Sequence, residues 1–345
     1  MKSSNKDNNL MEPSVSVIMP TYNRENLIKD AILSVLGQIF QRFELIIVDD
    51  GSSDNTSEVV LKLAESDSRI RYLYQKNQGV SAARNYGICC SKPTNYVAFI
   101  DSDDTWNYNH LDKAVSFLDM CPELVLVFSR MNIVDNFGQY EKEGAPQLHN
   151  KRLDAILQTA RKFQILNSYI LDSIACTRAL IRDELTPRMS TVVIRRNMVS
   201  APLWFDTELQ VLEDLDFFIS ISNNHFGFMN ETHGNYRHFG DNLTGLRDLK
   251  SAEMLKRQLS VLAFNQKKLK LSIEPEDKSI VLKKIADVAY LVGQCMSEQK
   301  KSRLAIVKIY IKSLQNKFSF SVMKSLIGVF IPRILKNTFN SIHFL

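Results

Sequence analysis

The sequence lacks the features that mark a membrane-spanning, secreted or repetitive protein. It contains no stretch of about 18 uncharged apolar residues, so we expect no spanning helix. Its start, MKSSNKDNNLMEPS, has no apolar core, so we expect no secretory signal peptide. Internal repeats and low-complexity tracts are also missing. The 345 residues, 45% hydrophobic and 23% charged, indicate a globular protein of more than one unit.

Cysteine and histidine are scarce, and their spacing predicts no metal site. The five cysteines include the adjacent pair Cys89 and Cys90, which we interpret as small core residues of a reduced, cytoplasmic protein. Apart from His238, the histidines have no companions at ligand spacing, so we expect them on the surface.

Acidic residues are missing from the last part of the chain. Residues 301–345 hold eight lysines or arginines and no Asp or Glu, although the whole chain has a formal net charge of only +5. Helical spacing of Leu304, Val307, Ile311 and Leu314 adds an apolar stripe. One interpretation is contact with an anionic membrane surface. Another is packing on the domain or in a homo-oligomer. We do not expect nucleic-acid binding, because no base-reading motif accompanies the charge.

Apolar runs and helical patterns alternate through the first hundred or so residues. The runs are continuous, which is typical of strands buried on both faces. We therefore predict an α/β fold with a doubly wound, mostly parallel, Rossmann-like sheet. The polar clusters PTYNR, VDDGS and DSDD follow three of its strands, at the edge where such sheets bind ligands. Residues 140–186 are expected to be helical or irregular, and the chain from about 250 onward to be helical.

Several motifs in sequence resemble the signatures of family 2 glycosyltransferases with the GT-A fold. They are VSVIMPTYNRENL, FELIIVDDGSSDNT, NQGVSAARNYGI, FIDSDD and LEDLDFF. The resemblance covers roughly residues 14–245. It implies inverting transfer of a sugar from a nucleotide-sugar, usually a uridine one, to an acceptor hydroxyl, assisted by Mn²⁺ or Mg²⁺. The predicted organisation is a disordered 1–13, a catalytic domain 14–245 (14–130 for the nucleotide-sugar, 131–245 for the acceptor) and a helical, basic region 246–345.

The acid cluster after the fourth strand gives the metal prediction. By the family's pattern, Asp103 ligates the metal, Asp101 faces the ribose, and Ser102 lies between them at the nucleotide-sugar. Carboxylates suit a hard cation whose other positions are filled by phosphate oxygens. For Asp104 we favour a structural role as the N-cap of the following helix.

The first two strand ends give the nucleobase prediction. Tyr22 would stack on the base and Asp50 would accept from its edge, with Asp49 in support and Gly51 allowing close approach to the ligand. The alternatives are core packing for Tyr22 and a turn cap for Asp50. The resemblance also assigns Pro20 and Asn23 to the nucleotide-sugar site.

Two arginines and a histidine complete the predicted donor site. The resemblance places Arg84 near the nucleotide, with a salt bridge to the strand-end acids as the alternative. Arg237 is the predicted partner of the diphosphate. His238 is included as a metal ligand, although it stands one position earlier than the histidine of the family's pattern.

The general base is expected in LEDLDFF. Asp214 matches the family's base position, and Glu213 would face the acceptor. Apolar neighbours could raise the pKa of Asp214, and the alternative is a carboxylate placed at a helix start by the dipole. Asp216 ranks lower because its neighbour Phe217 matches the family's apolar step.

The leading hypothesis is therefore an enzyme of surface polysaccharide or glycan synthesis. Its expected partners are a UDP-sugar and a glycan or lipid-linked acceptor, at the inner face of the plasma membrane. A nucleotidyltransferase is less favoured because MPTYNREN lacks the glycines of a triphosphate loop. A non-catalytic sugar-nucleotide-binding subunit is the third hypothesis. Nothing recognisable in residues 130–210 indicates the sugar or the acceptor.

Overall fold

The computed structural model describes most of the chain as two units. The described residues are 12–135, 139–142, 150–163, 167–199, 205–237, 251–271 and 274–316. The first unit comprises Met1–Thr207 and Phe217–Phe239, and the second comprises Glu208–Asp216 and Gly240–Leu345. The predicted disordered segment 1–13 lies almost entirely outside the described residues, as do His238 and residues 317–345 of the basic tail.

Strands and helices alternate in the first hundred residues, as predicted. The strands are β1 (Val15–Thr21), β2 (Phe43–Asp49), β3 (Ile70–Tyr74), β4 (Tyr96–Phe99), β5 (Thr105–Trp106), β6 (Leu124–Val134), β7 (Tyr140–Lys142), β8 (Arg161–Phe163), β9 (Ser168–Leu171), β10 (Val193–Arg195) and β11 (His225–Arg237). The helices are α1 (Ile28–Leu36), α2 (Thr56–Ala64), α3 (Val80–Cys90), α4 (His110–Met120), α5 (Asn150–Thr159), α6 (Ser173–Ile181), α7 (Glu213–Ser220), α8 (Ser251–Lys268), α9 (Pro275–Glu298) and α10 (Arg303–Asn316).

The strands of the described ranges form one mixed sheet. Its order is β3-β2-β1-β4-β10-β6-β11-β9-β8, with β5 beside β11 and β7 beside β6. Strands β1 to β4 pair in parallel, and β6 is parallel to β11. Between these two sets lies β10, which is antiparallel to both β4 and β6. The predicted α/β class and the helical C-terminal region are confirmed.

Burial on both faces explains the continuous apolar runs of the first strands. All residues of β1, β2 and β4 are buried. One face of β1 packs with the apolar side of α1 in the main core. On the other face α3 lies so close that a Cβ on Gly87 would stand 2.7 Å from Cγ2 of Ile18. The small residues of α3 therefore bring this helix against the sheet.

The second half of the sheet differs from the expectation for residues 140–186. That region contributes strands β7, β8 and β9 as well as helices α5 and α6. The strands are only three or four residues long, and they extend the sheet by antiparallel pairing. Such short strands have too few residues to show an alternating pattern in the sequence.

The adjacent cysteines are another departure. Cys89 is exposed and Cys90 is partly exposed near the end of α3, so the prediction of two core residues is wrong for this pair. Helix α3 turns its buried side toward the sheet with Ala83, Gly87 and Ile88, and Cys89 falls on the opposite side. The buried cysteines are Cys121 and Cys176.

In the second unit, α10 packs on α9 through residues outside the predicted stripe. Ile306 and Tyr310 are buried, and the ring of Tyr310 fits against Gly293, where a Cβ would clash with that ring. Leu304 of the stripe is 65% exposed, and Ile311 is also exposed. Within the described ranges, no helix is long and apolar enough to cross a bilayer.

Candidate active site

The acid cluster forms a tight turn directly after β4. The backbone nitrogen of Asp104 donates to the carbonyl oxygen of Asp101 at 3.0 Å, so three carboxylates are held within one turn. Burial and the neighbouring charge of Asp101 raise the pKa of Asp103. Burial also raises the pKa of Asp104 well above its ordinary value, and both neighbouring acids add to this effect. The cluster therefore holds more negative charge than its surroundings favour.

Asp104 does not cap the following helix, so that prediction is wrong. Helix α4 begins at His110 and has Asn109 as its N-cap. A helix capped by Asp104 would begin directly after that residue. The buried carboxylate of Asp104 instead accepts hydrogen bonds from the Ser190 hydroxyl and from the backbone nitrogen of Arg237. Asp104 thus links the acid turn to the end of β11.

Arginines supply positive charge to the cluster. Nη2 of Arg84 lies 2.9 Å from Oδ1 of Asp101, and the Arg84 side chain is only 4% exposed. Its guanidinium also lies over the ring of Phe205, 5.3 Å from the centroid. The salt bridge considered as the alternative for Arg84 is thus present, and its role at the nucleotide stays a prediction.

Arg24 is a candidate site residue that was not predicted from the sequence. Its Nη2 atom lies 3.3 Å from Oδ2 of Asp103, the carboxylate predicted to hold the metal. Arg24 directly follows the PTYN motif at the end of β1, and that position was the available signal. The pairing itself joins positions 79 residues apart.

Arg237 lies at the same edge of the sheet, at the end of β11. Its backbone binds Asp104, and its guanidinium forms an ion pair of 3.1 Å with Asp30 of α1. The predicted contact of Arg237 with a diphosphate stays a prediction.

The carboxylate of Asp50 is buried and holds the loop before α3. It accepts from Nε2 of Gln75 and from the backbone nitrogens of Gln78 and Gly79, at 2.7–2.8 Å. Asp49, not Asp50, caps the turn, because its Oδ1 accepts from the nitrogen of Ser52. The alternative considered for Asp50 is therefore not observed.

Gly51 has a different role from the one expected. Its φ is +81°, and a Cβ there would stand 2.8 Å from the backbone nitrogen of Asn77. Glycine is thus required because the backbone at this position passes close to a neighbouring loop of the protein, and not because of a ligand.

The PTYN segment presents one aromatic ring to solvent. Tyr22 is 47% exposed, so the core-packing alternative is excluded and the ring is open to a ligand. Asn23 has a φ of +51° and uses its side-chain oxygen to accept from the backbone nitrogen of Ser53 at 2.8 Å. Pro20 is buried within β1 opposite Val48, and Ser102 is buried in the acid turn. Asn23 and Pro20 therefore fix the loop that carries Tyr22.

The predicted general base belongs to the second unit. Asp214 and Glu213 are partly buried in the first turn of α7, and Oδ1 of Asp214 accepts from the backbone nitrogen of Leu215. Asp216 forms an ion pair of 3.0 Å with Lys267. The catalytic roles of Asp214 and Glu213 stay predictions.

Two histidines are buried, which makes the expectation of surface positions wrong for them. His110 lies at the start of α4, and its ring stands 4.6 Å from that of Trp106 and 5.7 Å from that of His233. The four ring nitrogens of the pair have no hydrogen-bond partner among the described residues. Burial lowers the pKa of His233 to about 4 and that of His110 well below its ordinary value.

Taken together, the sheet and its acidic, arginine-lined edge define an α/β domain of the class that binds ligands at the carboxyl ends of its strands. The family pattern of "Glycosyl transferase family 2" matches residues 16–185. Residues 16–185, about half of the chain, therefore form a domain of this family of glycosyltransferases.

Solved structures share the GT-A fold. Staphylococcus aureus TarS, solved in complex with UDP-GlcNAc, superposes with a TM-score of 0.55 at 20% identity over 90% of this chain and 91% of that one. The Pyrobaculum calidifontis mannosyltransferase PcManGT, solved with GDP-Man and Mn²⁺, gives 0.53 at 15% identity over 92% and 79%.

Curated relatives match only in part. Escherichia coli WfgD, a UDP-Glc:α-D-GlcNAc-diphosphoundecaprenol β-1,3-glucosyltransferase, is 38% identical over 142 residues, which are 40% of this chain and 54% of WfgD. The chain covers 19% of the length of an uncharacterized glycosyltransferase of Rickettsia bellii, at 40% identity. It thus spans less than two thirds of the curated relatives that it matches.

The acid cluster has carboxylates of the kind that hold a divalent ion when phosphate oxygens complete its shell. Among the described residues, no group of three or more His, Cys, Asp or Glu side chains forms a metal site. Asp103 and Asp101 nevertheless present partly exposed carboxylates on one turn, with Asp103 19% exposed. Mg²⁺ and similar hard ions commonly take one or two carboxylates and complete their shell with substrate phosphates and water. The donor set is therefore sufficient for a shared ion.

Proposed function

We propose that this chain is an inverting glycosyltransferase that uses a nucleoside-diphosphate sugar, of the uridine type, as its donor. The observation that carries the proposal is the acid turn after β4, paired with Arg24 and Arg84, at the carboxyl edge of three parallel strands in a family 2 chain. Ligands of open α/β sheets bind at this edge. WfgD is named for a UDP-sugar and TarS was solved with one, which supports uridine.

In this proposal the donor lies across the three strand ends. The exposed ring of Tyr22 stacks on the base. The carboxylate of Asp50 accepts a hydrogen bond from the edge of the base, with the lone pair that its contacts to the loop before α3 leave unused. Asp101 faces the ribose. Arg84 and Arg237 lie toward the diphosphate, where guanidinium groups form strong, charge-assisted hydrogen bonds. Ser102, Pro20 and Asn23 shape the loops around the nucleotide.

A Mn²⁺ or Mg²⁺ ion held by Asp103, with His238 as a further predicted ligand, would neutralise charge on the departing diphosphate. Asp214, at the family's base position, takes the proton of the acceptor hydroxyl, and Glu213 orients the acceptor. Positioned general bases typically contribute about 10²–10⁴-fold to a rate.

The proposed acceptor is a glycan or lipid-linked saccharide of surface polysaccharide synthesis. WfgD carries a diphosphoundecaprenol acceptor in its name, which supports a lipid-linked one. The exposed Leu304 and Ile311 of α10, beside exposed Lys308, support contact of residues 301–345 with an anionic membrane at the cytoplasmic side. A homo-oligomer through the same stripe is the alternative. Flotation with anionic and with neutral vesicles distinguishes them, since an oligomer contact needs no anionic lipid.

A donor screen tests the activity. Purified protein is incubated with UDP-, GDP- and dTDP-sugars and Mn²⁺, and the release of nucleoside diphosphate is measured. We expect release with at least one UDP-sugar and loss of it in EDTA. The absence of release and of binding for every donor would contradict the proposal.

The base assignment has its own test. In Asp214→Asn we expect UDP binding to persist while transfer falls by about 100-fold or more. The matched control is Asp216→Asn, because Asp216 stands two residues away and already pairs with Lys267. Transfer that persists in Asp214→Asn, or falls equally in both variants, would refute Asp214 as the base.

A further inference from the structure

Arg24 is attached to the site by its backbone, while its guanidinium remains partly free. Its backbone nitrogen donates to Oγ1 of Thr56 at 2.8 Å, which fixes the start of the loop. Its side chain is 34% exposed and makes one long hydrogen bond to the carbonyl oxygen of Asn23 and one to Asp103, both at 3.3 Å. Long contacts at a partly exposed group are weak, so this guanidinium can change partners at low cost.

The two arginines of the acid turn differ in this respect. Arg84 is buried, bonds Asp101 at 2.9 Å and lies over the ring of Phe205. It is held from several sides and stays in place. Arg24 is therefore the arginine that can exchange its partner. It forms an ion pair with Asp103, the carboxylate proposed to bind the metal.

A divalent ion and Arg24 would compete for that carboxylate. Both are cations, so they repel each other when they share one oxygen ligand. The donor brings a diphosphate to the same edge, and a guanidinium matches phosphate oxygens with its planar fork of donors.

We propose that Arg24 neutralises Asp103 before the donor binds and then transfers to the donor's diphosphate when the metal ion takes its place. Arg24 thereby favours joint binding of metal and nucleotide over binding of metal alone. This inference rests on the proposed function.

Binding measurements with Arg24→Gln test the exchange. Free Mn²⁺ is followed by electron paramagnetic resonance without nucleotide, and UDP binding is measured by calorimetry at saturating Mn²⁺. We expect Arg24→Gln to bind Mn²⁺ alone about threefold more tightly, since a weak competing ion pair is removed. We expect the same variant to bind UDP about tenfold more weakly, since a charge-assisted hydrogen bond is lost.

Two further variants complete the design. Arg24→Lys keeps the charge without the fork, so it should resemble wild type with Mn²⁺ alone and bind UDP more weakly. Arg69→Gln is the matched control, because Arg69 pairs with Asp67 before β3, at the opposite end of the strand. It should change neither affinity. Thermal unfolding confirms that each variant is folded.

Opposite shifts of the two affinities are the signature of exchange. Weaker Mn²⁺ binding in Arg24→Gln would mean that Arg24 only positions Asp103, and unchanged affinities would mean that it has no role; either result overturns the inference. If wild type binds UDP, but neither wild type nor Arg24→Gln binds Mn²⁺ in the absence of nucleotide, the exchange is also refuted. If wild type binds no nucleotide at all, the proposed function itself fails.

Discussion

The hydroxyl of Ser190 donates a hydrogen bond to the buried carboxylate of Asp104, 86 positions earlier in the chain. The same hydroxyl accepts from the backbone nitrogen of Asp101 at 3.0 Å. The carbonyl oxygen of Ser190 accepts from the indole nitrogen of Trp106. A single buried residue thus contacts both ends of the acid turn, and we infer that it holds the geometry of the turn that carries Asp103.

Replacing Ser190 by alanine should destabilise the protein and weaken the site. The variant leaves a buried carboxylate and a backbone nitrogen without this partner, which costs about 1–3 kcal/mol. Denaturant unfolding measures the loss, and UDP affinity should fall with it. Ser66→Ala is the matched control, because the hydroxyl of exposed Ser66, just after α2, donates to the carbonyl oxygen of Leu63. Equal free energies of unfolding in the two variants would show that the Ser190 contacts make no net contribution to stability.

Tyr22 should contribute to donor affinity through its ring. Stacking of a base on an aromatic side chain is worth about 1–3 kcal/mol, so Tyr22→Ala should weaken UDP binding by about tenfold or more. Tyr22→Phe keeps the ring and should stay near wild type. Tyr108→Ala, at another exposed tyrosine, serves as the control. If Tyr22→Ala binds UDP as wild type does, the nucleobase lies elsewhere.

The buried histidine pair should make stability depend on pH. His110 and His233 are neutral in the folded state, and Lys113 adds to the lowering of the His233 pKa by burial. In the unfolded chain they take up protons below about pH 6.5. Stability is therefore fully present above that pH and is lost as the pH falls toward 4, the folded pKa of His233.

For His233 alone the loss at pH 5 amounts to about 2 kcal/mol. Chemical denaturation at pH 7.5 and pH 5 measures it in wild type and in His233→Gln, which removes the titrating group. The variant should show the smaller difference between the two pH values. A difference as large as that of wild type would mean that other groups, such as nearby Glu231, cause the pH dependence.

The sequence predicts those parts of the fold that repeat a local pattern. Strands β1, β2 and β4 are continuous apolar runs because both faces of the sheet are covered there. Strand β11 could not be predicted from the sequence, although it is the longest strand of the described ranges. It contains two glycines and several polar residues, and its pairing with β6 shifts register between Met229 and Thr232 and again before Asn235. Those bulges interrupt the alternation on which strand prediction depends.

The same limit applies to the site. The acids of DSDD and VDDGS could be placed at one edge because the carboxyl ends of parallel strands meet there. Their partners could not, because Arg24 and Ser190 reach them across 79 and 86 residues, a pairing that only the folded chain creates. The histidines were misplaced for a related reason, since burial of His110 depends on its contact with Trp106 and β11.

In the proposed mechanism, Asp103 binds a metal ion that it shares with the donor's diphosphate. Calorimetric titration of UDP, with Mn²⁺ and with EDTA, tests it most directly in wild type, Asp103→Asn and the control Asp67→Asn. We predict that Mn²⁺ strengthens UDP binding in wild type and in Asp67→Asn, and that this gain disappears in Asp103→Asn. A gain in Asp103→Asn equal to that of wild type, or no effect of Mn²⁺ on any of the three proteins, would refute the assignment of Asp103 as the metal ligand.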